Sequence, residues 1–119
     1  MRLRSTITGL FFLAALVVLA LLPIPYKGRL ATVGLVHECV HIGAFSLAFL
    51  LLCGGSRTTR ASVGVGVILL VFGIALEIFQ TRIYGTVLEY GDISANAAGT
   101  MLGFVGRSIW MNSTLRSSG

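Results

Sequence analysis

Residues 37–41 read His-Glu-Cys-Val-His. If this stretch is helical, His37 and His41 stand one turn apart on one face. Imidazoles so placed can hold a zinc ion, with Glu38 between them activating a bound water. The chain has two His and only four Asp and Glu in total, so composition alone would rarely produce the string. A zinc site needs a third protein ligand. Glu77 or Asp92 could supply it, and His37, His41 and Glu77 form the metal set we take as the alternative. Two further polar pairs, Glu77-x-x-Gln80 and Asp92-x-x-x-Asn96, would also stand one turn apart on helices. Carboxylates, amides and imidazoles together suit hydroxyls, amides and sugars. No strand or cleft for gripping a polypeptide is visible, so no catalytic residue is assigned. The first expectation is a binding site without a cofactor, and zinc is the alternative.

These groups must be positioned by elements that suit a bilayer. The 119 residues are 55% hydrophobic and 11% charged, with a mean hydropathy of +0.93. Soluble domains are about 25% charged, so a water-soluble globule is excluded, as is disorder. A spanning helix takes about 20 mostly apolar residues, so four spans with short loops fill the chain as one domain, residues 1–119. Apolar runs place the spans near 7–24, 32–53, 61–80 and 92–110. The expected fold is all-α: a polytopic membrane protein with four transmembrane helices in a compact bundle. The first run, closed by Pro23 and Pro25, lacks a small-x-small cleavage site and reads as an uncleaved span rather than a signal peptide. Thr81–Tyr90 is too short and mixed to span and reads as a loop, with Tyr84 and Tyr90 at headgroup level. Tyr26 and Trp110 read as interface anchors.

The formal net charge is +5. The basic residues are scattered in ones and twos at segment ends, with no stripe to neutralise phosphates, so nucleic acid is not an expected partner. Arg2, Arg4, Arg57, Arg60, Arg107 and Arg116 fall on one side of a four-span chain, and Lys27, Arg29 and Arg82 on the other. The bias places both termini in the cytoplasm. Cys39 and Cys53 would lie about 21 Å apart along one helix at 1.5 Å per residue, too far for a disulfide.

The phase of the polar residues carries the functional reading. On helices, His37, His41, Ala44 and Ala48 share a face, as do Ser62, Gly66, Gly73, Glu77 and Gln80, and likewise Asp92, Asn96, Gly99, Gly103 and Gly106. Each stripe is polar at one end and small along the rest. Lipid tails are as apolar as Leu, so helices in a bilayer associate through close backbone contact and polar bonds. Gly66, Gly73, Gly99 and Gly103 are therefore expected to serve packing. Because chain direction alternates, the polar ends of all three helices meet at one membrane side, the outer one by the charge bias. Ionisable groups within apolar sequence are costly unless paired or hydrated, so their convergence predicts one polar site.

The same residues resemble the VanZ-like family of small bacterial membrane proteins. The likeness rests on Glu77-x-x-Gln80 closing one span, Asp92-x-x-x-Asn96-x-x-Gly99 opening the next, Gly103 one turn on, a His-containing start to the second span followed by Ala44-Phe45, and the leading LLPIP. It covers nearly the whole chain, to Gly106. The family usually opens the second span with Asp-Lys-x-x-His, and of residues 37–41 only His41 matches that frame. Arg82 lies near, but out of register with, an arginine usual after E-x-x-Q. The resemblance implies His41, Glu77, Gln80, Asp92 and Asn96 as the functional set, with His37, Glu38 and Arg82 secondary. It also implies an association with glycopeptide (teicoplanin-type) sensitivity. It implies no reaction.

The reading that follows is a non-enzymatic protein of the bacterial cytoplasmic membrane whose outer-leaflet site binds a membrane lipid or lipid-linked envelope precursor. The alternatives are a membrane zinc metallohydrolase and a structural bundle that uses its glycine stripe to form homo-oligomers.

Overall fold

A computed structural model describes residues 2–22, 35–54 and 58–116, with side chains for 4–22, 35–54 and 58–113. Among the described residues, four helices follow in order: α1 (Arg2–Ala20), α2 (Leu35–Cys53), α3 (Thr59–Tyr84) and α4 (Tyr90–Arg116). Among the described residues there is no strand. By length and composition, α2 and α3 are able to cross a membrane, and α1 has a shorter apolar stretch, Arg4–Ala20. Pro23, Pro25, Tyr26, Lys27, Arg29 and Arg57, which entered the topology reading, lie outside the described residues, as does the 32–34 start expected for the second span.

The helix ends differ from the apolar runs for local reasons. α1 begins at Arg2 rather than near residue 7, since Arg is a good helix former. It gives way to a turn and a bend at Leu21 and Leu22, as expected when a proline follows at 23. α3 starts on an N-cap, Thr58, whose hydroxyl accepts from the Ala61 N–H at 3.3 Å. It does not stop at Gln80: Thr81–Tyr84 are helical, and the helix ends at Gly85, which takes the left-handed conformation at φ 63°. That backbone state costs glycine little. The expected ten-residue loop is therefore only residues 85–89. α4 runs past Trp110 to Arg116 because no proline or glycine interrupts the polar stretch.

Chain direction alternates. At one end Ser5 Oγ donates to the Leu51 carbonyl at 2.6 Å. At the other, Gln80 Nε2 donates to the Ala20 carbonyl at 2.9 Å. α2 and α4 consequently run parallel, and they form the closest pair. A Cβ on Gly99 would meet the backbone of Ile42, and one on Gly103 would lie 2.9 Å from the Ser46 carbonyl and the Phe49 Cβ. The GxxxG stripe is thus spent inside the chain. Gly73 faces the Phe45 ring, while Gly66 has only ordinary contacts with Phe49 and Thr100. Gly106, expected on the same stripe, is exposed, and Arg107 is buried in its place. The buried face of α4 runs through Asp92, Asn96, Gly99, Gly103 and Arg107. Fifteen positions in four turns is a right-handed drift, which carries the face past Gly106.

The interior is as polar as it is apolar. Phe45, Ala48, Phe49, Cys53, Leu69 and Ala95 are buried, and so are Ser62, Glu77, Asp92, Asn96, Thr100 and Arg107. The exterior carries large apolar side chains on every helix, among them Phe11, Val40, Val67, Ile68, Val71, Met101 and Ile109. Phe45 and Phe49 pack against Phe72 and Phe104.

Candidate functional site

The first turn of α2 and the first turn of α4 meet side by side. Two pairs share one register: His37 Nε2 lies 3.2 Å from Asp92 Oδ2, and His41 Nδ1 lies 2.8 Å from Asn96 Oδ1. His41 Nε2 is also 3.6 Å from Asp92 Oδ2. The two imidazoles stand edge to face with centroids 4.6 Å apart, as residues one helical turn apart on one face should. Asp92 and Asn96 are buried and the histidines half-buried. One carboxylate therefore serves two rings, and an amide fixes the second.

α3 supplies the opposite wall. Glu77 is 5% exposed, and its Oε1 accepts the Glu89 N–H at 3.1 Å. That bond ties the 85–89 turn back onto the helix. Gln80 does not turn to the histidines with its amide nitrogen but holds the end of α1. Tyr84 is half-buried. Its hydroxyl lies 2.6 Å from the Leu21 carbonyl and 3.0 Å from the Leu22 carbonyl, a clasp for which the sequence gives no periodic signal. Arg82 is exposed, as is Glu38, whose Oε1 lies by Gly91.

Between α1, α2, α3 and α4 lies a cavity of about 400 Å³. Its polar lining is His37, His41, Glu77, Gln80 and Asn96, and its apolar lining includes Leu16, Leu19, Leu22, Ala44, Phe45 and Leu76. That size is within the usual range of small-molecule sites, about 300–1,000 Å³. The site thus gathers His37, His41, Glu77, Gln80, Asp92 and Asn96 at one end of the bundle and leaves Arg82 and Glu38 at its margin.

One group of metal-ligating side chains stands out among the described residues. His37, His41 and Asp92 each offer a ligand atom, and these atoms all lie within 4.8 Å of one another. Asp92, rather than Glu77, is the carboxylate that completes it, because Glu77 faces the 85–89 turn. No protein-family model, curated protein or solved structure matches the chain.

Proposed function

We propose that the chain is a four-span protein of the bacterial cytoplasmic membrane, both termini inside, whose outer-leaflet cavity binds an amphiphile such as a membrane lipid or lipid-linked envelope precursor. The reading is carried by the cavity: polar groups at one end, leucines and phenylalanine along the rest. A headgroup rich in hydroxyls and amides matches the imidazole, carboxamide and carboxylate end, and its hydrocarbon matches the apolar wall. The inverted composition of the bundle supports all four helices lying in lipid. A globule with polar groups inside and Val, Ile, Leu and Phe outside on each helix suits hydrocarbon and not water. The resemblance to VanZ-like proteins supports a role in sensitivity to glycopeptides of the teicoplanin type.

The test is co-purification. Full-length protein extracted in mild detergent is analysed by native mass spectrometry for retained amphiphile, beside His41→Ala, Asp92→Ala and the lipid-facing control Leu102→Ala. A retained polar amphiphile lost in the first two variants and kept in the control is the expected result. In cells, His41→Ala, Asp92→Ala and Glu77→Ala should shift envelope-antibiotic sensitivity, and Leu102→Ala should not. Wild-type behaviour of all three site variants, with normal insertion, would refute the reading.

A further inference from the structure

We propose that His37, His41 and Asp92 form a binding site for a divalent transition-metal ion of the zinc class, with its open coordination position turned to the cavity. The inference deepens the cavity reading above by naming a cation at its polar end. It stands on the donor set and its spacing.

The spacing comes first. Zinc bonds to imidazole nitrogen and carboxylate oxygen at about 2.0–2.2 Å, and the edge of such a tetrahedron is about 3.3–3.5 Å. Asp92 Oδ2 is 3.2 Å from His37 Nε2 and 3.6 Å from His41 Nε2. Two edges are thus already set. The third, between the imidazoles, lies within 4.8 Å and closes by rotation of the half-buried rings.

Proton placement comes second. Asn96 Oδ1 only accepts, so the 2.8 Å bond puts the His41 proton on Nδ1. In the neutral ring, Nε2 then carries a lone pair on the side of Asp92 Oδ2. That nitrogen and Asp92 Oδ2, 3.6 Å apart, are two ligand atoms that one metal ion can share. Metal-bound histidines characteristically donate their other N–H to a carbonyl or carboxylate, which fixes the tautomer. Asn96 does this for His41.

Charge balance comes third. Asp92 is buried, and a carboxylate at the proposed bilayer depth needs partners of opposite charge. A divalent ion bound to Asp92 is such a partner. His37 and His41 line the cavity while Asp92 stands behind them, so the fourth position faces the headgroup. There the ion would take an oxygen ligand, a water or a phosphate or hydroxyl of the bound amphiphile.

The probe is the metal alone. Full-length protein in detergent, stripped with chelator and free of added lipid, is titrated with Co2+ and then Zn2+. The parent should take up close to one ion per chain, with the visible absorption of four-coordinate cobalt bleached by zinc. Asp92→Asn and His41→Gln should bind at least tenfold more weakly. Asn96→Ala should lose roughly 10–100-fold in affinity, the usual effect of removing an orienting partner. Glu38→Gln, at the margin of the site, and Leu102→Ala, on the exposed face of α4, should bind like the parent. No uptake by the folded parent overturns the proposal, whatever the variants do. Retained binding in Asp92→Asn with loss in Glu77→Gln overturns the donor set. Amphiphile retention measured separately in chelator keeps failure of the metal site distinct from failure of the headgroup reading.

Discussion

Replacing Gly99 by alanine tests how the site is held. A Cβ there would stand 2.9 Å from Ile42 Cα and 3.0 Å from its carbonyl carbon. Ordinary carbon contacts are about 3.5–4.0 Å, so α2 and α4 must part by roughly 0.5–1 Å. The obstacle is helix backbone and cannot rotate aside, so the cost should fall in the upper part of the about 1–3 kcal/mol range for overpacking. Alanine recovers up to about 1 kcal/mol of helix propensity, which leaves a net loss of about 1–2 kcal/mol. Gly106→Ala is the internal control. Nothing lies within 4 Å of its Cβ position, so the propensity gain stands alone and the variant should be neutral or slightly more stable. The same separation would stretch the His41–Asn96 bond from 2.8 Å past the range in which such bonds hold. Gly99→Ala should therefore also weaken ligand retention. Reversible unfolding in mixed micelles gives the stability difference. A Gly99→Ala protein within about 0.5 kcal/mol of the parent, or a Gly106→Ala protein damaged as much, would refute the packing argument.

Three further outcomes are expected. Tyr84→Phe removes the hydroxyl bonded to the Leu21 and Leu22 carbonyls, at about 1 kcal/mol; hydrogen exchange should accelerate at the end of α1 and not in α4. In detergent, a small maleimide should modify exposed Cys39 at least tenfold faster than buried Cys53, a ratio set by access to the thiolate; equal rates would place Cys53 outside the core. Thr86→Cys, in the exposed turn after Gly85, with both native cysteines replaced, should react with an impermeant maleimide in intact cells whose outer membrane is permeabilised. Reaction only after lysis would reverse the proposed orientation.

The convergence of His37, His41, Glu77, Asp92 and Asn96 was legible because a single period carries it. Residues four apart share a face, and alternating direction brings those faces to one end. The buried phenylalanines were less legible, since in a chain this apolar nothing in residue type separates Phe45 from exposed Phe11. The Gly106–Arg107 exchange shows how phase drifts over four turns, beyond what a fixed angle per residue can follow. The short 85–89 turn was obscured because Thr81–Tyr84 mixes polar and aromatic residues yet continues a helix that only Gly85 stops. The roles of Gln80 and Tyr84 toward α1 were invisible for a different reason. They bond to main-chain oxygens, which every residue has and no composition betrays.

That last feature bears on how such a protein can diverge. Gln80 and Tyr84 grip Ala20, Leu21 and Leu22 by their peptide oxygens, so the grip makes no demand on what those three residues carry. Ala20 and Leu22 also line the cavity. Substitutions there can reshape its apolar wall while the attachment persists. Change at one helix end can thereby alter the cavity's apolar lining independently of the polar groups carried by α2, α3 and α4.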